Sequence, residues 1–434
     1  MTRAAVNLWG STIGAVELTN ANDIATFQYD PEFARSQIEL SPLMMPLAQS
    51  PYAFTNLSRE TFHGLPGLLA DCLPDQFGNL LINNWLARQG RTEATFNAVE
   101  RLCYTGARGM GALEFVPVTG PKSARAETLD VAQMVKLASE ILSTRSRFID
   151  DLSDISRTKA LASILQIGTS AGGARAKAVI AWNPETNEVR SGQISAGDGF
   201  SYWLLKFDGV SENRDKELND PQGFGATEYA YSLMAKAAGI AMSECRLLEE
   251  GGRRHFMTKR FDRTPTGDKL HMQSLGALAH FDFKMAGAHG YEQALLVCRQ
   301  LKLGMSAIEE QFRRMAFNVV ARNQDDHVKN IAFLMDRTGK WSLSPFYDAT
   351  YSYNPDGLWT SKHQMTLAGK RDNFSLNDFR TCADGSSMKR GRAQSILDEV
   401  IVVVSQWPTY AEAAGVSELW AAEIGLHHRL TFTA

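Results

Sequence analysis

The feature that most constrains this chain is a polar stretch, Asn323-Gln324-Asp325-Asp326-His327-Val328-Lys329-Asn330, set between a helical pattern and a hairpin pattern. Upstream, Ile308, Phe312, Met315, Val319 and Val320 recur at helical spacing, and Ser306-Ala307-Ile308-Glu309 has the form of a capping box opening that helix. Downstream, Ile331 to Met335 reads as an apolar strand, Asp336 to Gly339 as a turn, and Trp341 to Leu343 as a return strand ending at Pro345. Such a hairpin brings Tyr347-Asp348 back beside Asn330. A buried helix therefore delivers a loop whose acid and amide are met by a second acid.

Asp325 and Asn330 have the D-x-x-x-x-N spacing with which protein-kinase-like catalytic loops hold a base and a metal ligand together. The Asp348 carboxylate and the Asn330 amide oxygen suit Mg²⁺, a hard ion that takes oxygen ligands and keeps waters and substrate phosphates among them. Asp325 is placed to accept the proton of an attacking hydroxyl. The competing reading of Asn-Gln-Asp-Asp is a hydrophilic turn with an Asx cap, a common structure. The return of the hairpin to Asp348 weighs against it.

A length of 434 residues exceeds what one hydrophobic core usually holds, so two domains, or one large two-lobed domain with an appendage, are expected. The formal net charge of -3 argues against a nucleic-acid coat or a membrane-surface protein. No apolar run is long enough to span a bilayer, and the first residues lack the apolar core of a signal peptide, so a cytoplasmic protein is expected. Cys72, Cys103, Cys245, Cys298 and Cys382 are odd in number and scattered, without C-x-x-C spacing, and read as reduced, mostly buried thiols.

From the N-terminus, Ala5 to Trp9 and Ile13 to Leu18 read as two short strands around Gly10-Ser11, and Phe27 to Tyr29 continues a small mixed subdomain. Helix starts are expected at Pro66 and near Asp75, and the Gly-rich bend after Arg101 leads into a strand ending at Val116. Pro117 to Asp130 has the composition of a linker, which places a boundary near residue 125. A helical pattern resumes from Val131 to Leu142.

A second chemical stretch is Ser170-Ala171-Gly172-Gly173-Ala174-Arg175-Ala176-Lys177, a small-residue connection between two strand-like apolar runs. Its backbone N–H groups could form a nest for phosphate oxygens, although it is not a P-loop and no long helix follows. Next, Lys206 interrupts the aromatic and apolar strand Ser201 to Asp208. Either it pairs with nucleotide phosphates or it is an edge-strand lysine that blocks aggregation. Glu228 opens a helical pattern, and its pairing with Lys206 stays open at this point. Lys259-Arg260-Phe261-Asp262-Arg263 is a candidate lobe connector, with the Lys259 and Phe261 backbone toward adenine and Asp262 toward ribose. A salt-bridged surface turn fits the same residues. Lys370-Arg371 reads as a solvated basic turn.

In this order, Ser170-Ala-Gly-Gly-Ala-Arg-Ala-Lys177, Lys206, Lys-Arg-Phe-Asp262-Arg, Asp325-Asp-His-Val-Lys-Asn330 and Tyr-Asp348, together with Gly64-Leu-Pro-Gly-Leu-Leu-Ala-Asp-Cys-Leu-Pro-Asp75, make the chain resemble the HipA-like serine/threonine kinase toxins. The resemblance covers essentially the whole chain. It implies an α+β, two-lobed protein-kinase-like fold: an N-terminal subdomain over 1–125, an N-lobe over 126–262 and a helical C-lobe over 263–434. It implies ATP and Mg²⁺ as cofactors, Asp325 as base, Asn330 and Asp348 as metal ligands, and Lys206 as the phosphate-pairing lysine. The Ser170 to Ala174 loop, Lys177 and His327 would border the nucleotide, and Ser170 would be the self-phosphorylated serine. A HipB-like helix-turn-helix antitoxin, operator DNA reached through it, and an aminoacyl-tRNA synthetase as substrate are the implied partners, with no membrane. His327 and the Ala349-Thr350 that follow Asp348 depart from the eukaryotic kinase pattern. A small-molecule phosphotransferase and a catalytically silent corepressor are the alternatives.

Overall fold

The structure, a computed structural model of the chain, describes residues 1–19, 24–120, 128–143, 164–165, 168, 175–194, 196–210, 223–264 and 266–433. Alternation of apolar residues builds the first sheet, because Ala4, Val6 and Leu8 of β1 (Thr2–Leu8) all point inward and are buried. β1 pairs antiparallel with β2 (Ser11–Leu18) and with β4 (Leu113–Val116), and β3 (Thr26–Tyr29) closes the order β3-β2-β1-β4. Gly14 is required on β2, since a Cβ there would lie 2.4 Å from the Gln28 carbonyl oxygen.

Five antiparallel strands form the second sheet in the order β6-β5-β7-β9-β8. They are β5 (Lys177–Trp182), β6 (Val189–Ser191), β7 (Ser201–Lys206), β8 (Cys245–Glu250) and β9 (Arg253–Lys259). β7 is the central strand, so the edge-strand reading of Lys206 does not hold. The helix Gln76–Arg88 belongs to the N-terminal segment by sequence, yet its Phe77 and Leu81 sit in the core of this second sheet. Ile164 and Leu165 are buried in the same core and are helical, where the sequence suggested a strand. A short apolar run has no periodicity by which to tell the two apart. The boundary expected near residue 125 falls outside the described residues.

The largest core gathers the helices that follow β7 around Met305–Val320, whose Phe312 and Phe317 are fully buried, each such side chain contributing roughly 1.5–3 kcal/mol. That helix starts one residue before Ser306, with Gly304 at its N-cap and no capping side chain, so the expected capping box is not formed. Gly304 enters at φ 82°, a conformation that glycine adopts without cost, and the turn before the helix sets its start. β10 (His271–Ser274), β11 (Ala332–Met335) and β12 (Trp341–Leu343) form a third antiparallel sheet, which contains the expected hairpin. No helix among the described residues is long and apolar enough to cross a membrane. The five cysteines are free, and four of them are buried.

Candidate functional site

After the helix Met305–Val320 and its C-cap Ala321 comes a left-handed residue, Arg322 at φ 59°, which turns the chain sharply into the polar loop. That loop has no regular structure of its own, so side chains fix it. Ser352 Oγ accepts from the backbone N–H groups of Gln324 (2.7 Å) and Asp325 (2.9 Å), and Asn323 Nδ2 donates to Asn318 Oδ1 at 2.9 Å. Of the two adjacent acids, Asp326 faces inward. It accepts from the Tyr291 hydroxyl (2.5 Å) and the Gln364 N–H (2.7 Å), and it pairs with His363 Nδ1 at 2.8 Å. Burial acts to raise its carboxyl, and these partners outweigh burial and hold it below the usual range.

Asp325 faces the other way and is partly exposed. The Trp359 indole N–H donates to its Oδ1 at 2.7 Å, and His327 Nε2 lies 3.9 Å from the same oxygen. The Asn330 side chain donates through Nδ2 to the Asp325 carbonyl at 2.8 Å, which turns its amide oxygen away from that carbonyl. The hairpin then returns as expected, and the Tyr347 hydroxyl donates to the Lys329 carbonyl at 2.5 Å. Asp348, the next residue, holds φ 57°, uncommon for a residue with a side chain and a form of stored strain.

Across from this hairpin stands the end of β7. Lys206 Nζ donates to Glu228 Oε1 at 2.6 Å and also to Asp348 Oδ1. The pairing with Glu228, left open by the sequence, is therefore formed, from the helix Phe224–Ala237 behind the sheet. Burial alone would raise the Asp348 carboxyl, and the Lys206 ammonium overrides burial and holds it at about 2. Glu228 goes the other way, its carboxyl raised by burial despite the same lysine. Lys177 lies directly opposite Lys206 in the β5–β7 register, and its Nζ is 3.0 Å from Asp75 Oδ2, with both side chains almost fully buried.

Other candidates have different surroundings. Asp262 is fully buried, clamped by Arg260 (2.7 Å) and Arg263 (2.6 Å) and by the Gly111 N–H (2.7 Å). Its carboxylate, held well below the usual range chiefly by those two guanidinium groups against the effect of burial, ties the connector to the N-terminal segment. It does not face a ribose, and the residues around it are not a surface turn. The Lys259 N–H is committed to the Glu244 carbonyl at 2.8 Å, and its exposed ammonium pairs with Glu244, so this lysine offers no adenine donor. Phe261 packs its ring 5.5 Å from Tyr347, beside Asp348. Lys370 pairs with Asp378, and Arg371 donates to the His363 carbonyl, so both serve the scaffold. Ser170, Ala171, Gly172, Gly173 and Ala174 lie outside the described residues.

Sequence reasoning missed the pairing of Asp75 with Lys177, Trp359 and the inward role of Asp326. Only Asp326 had a signal for its role, as an acid adjacent to the one that the D-x-x-x-x-N spacing singles out. Among the described residues no group of three or more His, Cys, Asp or Glu could hold a metal ion. By donor chemistry alone, one carboxylate and one amide oxygen, Asp348 and Asn330, would suit an ion that brings waters and phosphates with it.

A mixed α/β protein results, with a lysine locked between two acids on the central strand of a sheet and facing a loop that carries an acid and an amide. Residues 4–116 match the HipA N-terminal domain, and residues 169–407 match the HipA-like C-terminal domain. The chain belongs to the HipA family. Among solved structures it is similar to the HipA of the Shewanella oneidensis MR-1 toxin–antitoxin complex with HipB and operator DNA. The TM-score is 0.67 at 16% identity over 98% of this chain and 94% of that one, a likeness of fold. The Helicobacter pylori proinflammatory kinase CtkA matches over 52% of this chain and 84% of that one, with a TM-score of 0.33 and 11% identity. A search of the curated proteins by sequence gave no match.

Proposed function

We propose that this chain is a two-lobed, ATP- and Mg²⁺-dependent serine/threonine protein kinase acting as the toxin of a toxin–antitoxin pair. The observation that carries the reading is Lys206, bonded at once to Glu228 and Asp348 at the foot of the hairpin that returns to Asn330. Lys206 would pair with the nucleotide phosphates, and the two acids hold its ammonium ready for them. When bound, Mg²⁺ would neutralise charge on the transferring phosphoryl group, held by Asp348 and Asn330. Asp325 would take the proton of the acceptor hydroxyl as its oxygen bonds to the γ-phosphorus and the bond to ADP breaks, yielding phosphoserine or phosphothreonine and ADP.

Family membership supports a translation component such as an aminoacyl-tRNA synthetase as substrate, self-phosphorylation at Ser170, and a HipB-like partner that reaches operator DNA. The Shewanella protein of the same fold was solved with such a partner. Purified protein given γ-labelled ATP should label itself, and Ser170→Ala should remove that label. Asp325→Gln should lower phosphoryl transfer about 10²-fold or more, the usual scale for losing a positioned base. Transfer at the wild-type rate in Asp325→Gln would sink the assignment.

A further inference from the structure

Trp359 lies in the segment that follows Asp348, and its surroundings suggest more than packing. Its indole N–H donates to Asp325 Oδ1 at 2.7 Å, at the short end of the N–H···O range. The segment is bolted to the catalytic loop beneath it. Gln364 Nε2 donates to the carbonyls of Trp359 and Gln324, and the Gln364 N–H donates to Asp326 Oδ1 at 2.7 Å. In return, Gln324 Nε2 donates to the Thr360 carbonyl at 3.3 Å. Both glutamines are buried, so these bonds are shielded from water. The adjacent Leu358 is 100% exposed, so the segment leaves its aliphatic residue in solvent and turns its indole inward to the acid.

We infer that Trp359 is a positioning residue for Asp325: its indole N–H, held on Oδ1, restrains the rotation of the carboxylate that meets the acceptor hydroxyl. The inference rests on the assignment of Asp325 as base. A carboxylate free to rotate meets the hydroxyl in many orientations, and aligning it before the reaction removes that entropy from the barrier. Gln364 and Gln324 fix the indole as the indole fixes the acid, so the alignment extends from the loop's buried bonds to the cleft.

Trp359→Phe keeps a ring in place and removes only the N–H. In single-turnover phosphorylation the rate should fall about 10-fold, while the ATP KM and the calorimetric ATP affinity stay within about twofold, the pattern of an interaction made only toward the transition state. In an Asp325→Asn background the same substitution should change nothing, because the group it acts through is gone. An equal loss in both backgrounds would show a merely structural role and overturn the inference. So would a Trp359→Phe enzyme that matches or exceeds the wild-type rate. If Asp325→Asn alone reacts at the wild-type rate, the base assignment itself fails, an outcome distinct from the others. ATP binding by calorimetry reports on each variant that its fold is intact.

Discussion

Lys206 carries one positive charge between two carboxylates, and burial makes that balance consequential. Its ammonium is held above the ordinary lysine range, because Asp348 and Glu228 outweigh the desolvation that works against it. Removing the cation leaves Glu228, almost fully buried, facing Asp348 with the Lys206 bond to both gone. Lys206→Met should therefore reduce phosphoryl transfer about 10²-fold or more, as loss of a preorganised charge on the phosphates does. Glu228→Gln leaves the Lys206–Asp348 pair intact and should reduce transfer less, by about 10-fold, through looser positioning. Initial rates with labelled ATP decide the order, and a Glu228→Gln enzyme weaker than Lys206→Met would refute it. The acids, the amide and this lysine were legible because each is an unusual residue type in its local pattern. Trp359 and the pairing of Asp75 with Lys177 were not, because the partners lie 34 and 102 residues away and the local pattern marks Asp75 only as a helix start.

At the scale of elements, strands and turns followed the alternation and turn residues of the sequence, since β1, β2, β3 and the hairpin β11–β12 rest on local rules. The helix Gln76–Arg88 was legible too, but not where it packs. Asp75 caps that helix by accepting from the Gly78 N–H at 2.6 Å, and with its other oxygen it holds Lys177 at the start of β5. One carboxylate thus starts a helix of the N-terminal segment and secures the strand beside β7. Burial raises its carboxyl while Lys177 and the Gly78 N–H oppose that rise. The two roles separate by substitution. Asp75→Asn keeps a good cap and removes the carboxylate charge that faces Lys177, which should cost roughly 3 kcal/mol of stability. Asp75→Ala loses the cap as well, for about 1 kcal/mol more. Denaturant unfolding measures both, and two variants of equal stability would mean that the cap contributes nothing.

For the whole molecule, the sequence indicated an N-terminal unit, a sheet with Lys206 and a helical remainder, but not how the units share a core. Phe77 and Leu81 reaching the second sheet, and Asp262 tied to Gly111, are contacts between distant segments that no periodicity reveals. Such closed interfaces also make the fold sensitive to acid. His271 is buried on β10 against Trp341, and His428 packs on Tyr231 and Trp407. Burial lowers each imidazole to about 3. The folded values lie below the unfolded value of about 6.5, so the unfolded chain takes up these protons first. Stability is then full above about pH 6.5 and falls as pH drops toward 3, by roughly 2 kcal/mol for His271 between pH 7 and pH 5 and by less for His428, which water partly reaches. Asp348, held at about 2, acts in a separate window: its contribution is present above about pH 4 and is lost below it. Melting temperatures of wild type and His271→Gln at pH 7 and pH 5 test the assignment. The variant should lose less stability on acidification than wild type, and identical losses would place the acid sensitivity elsewhere in the molecule.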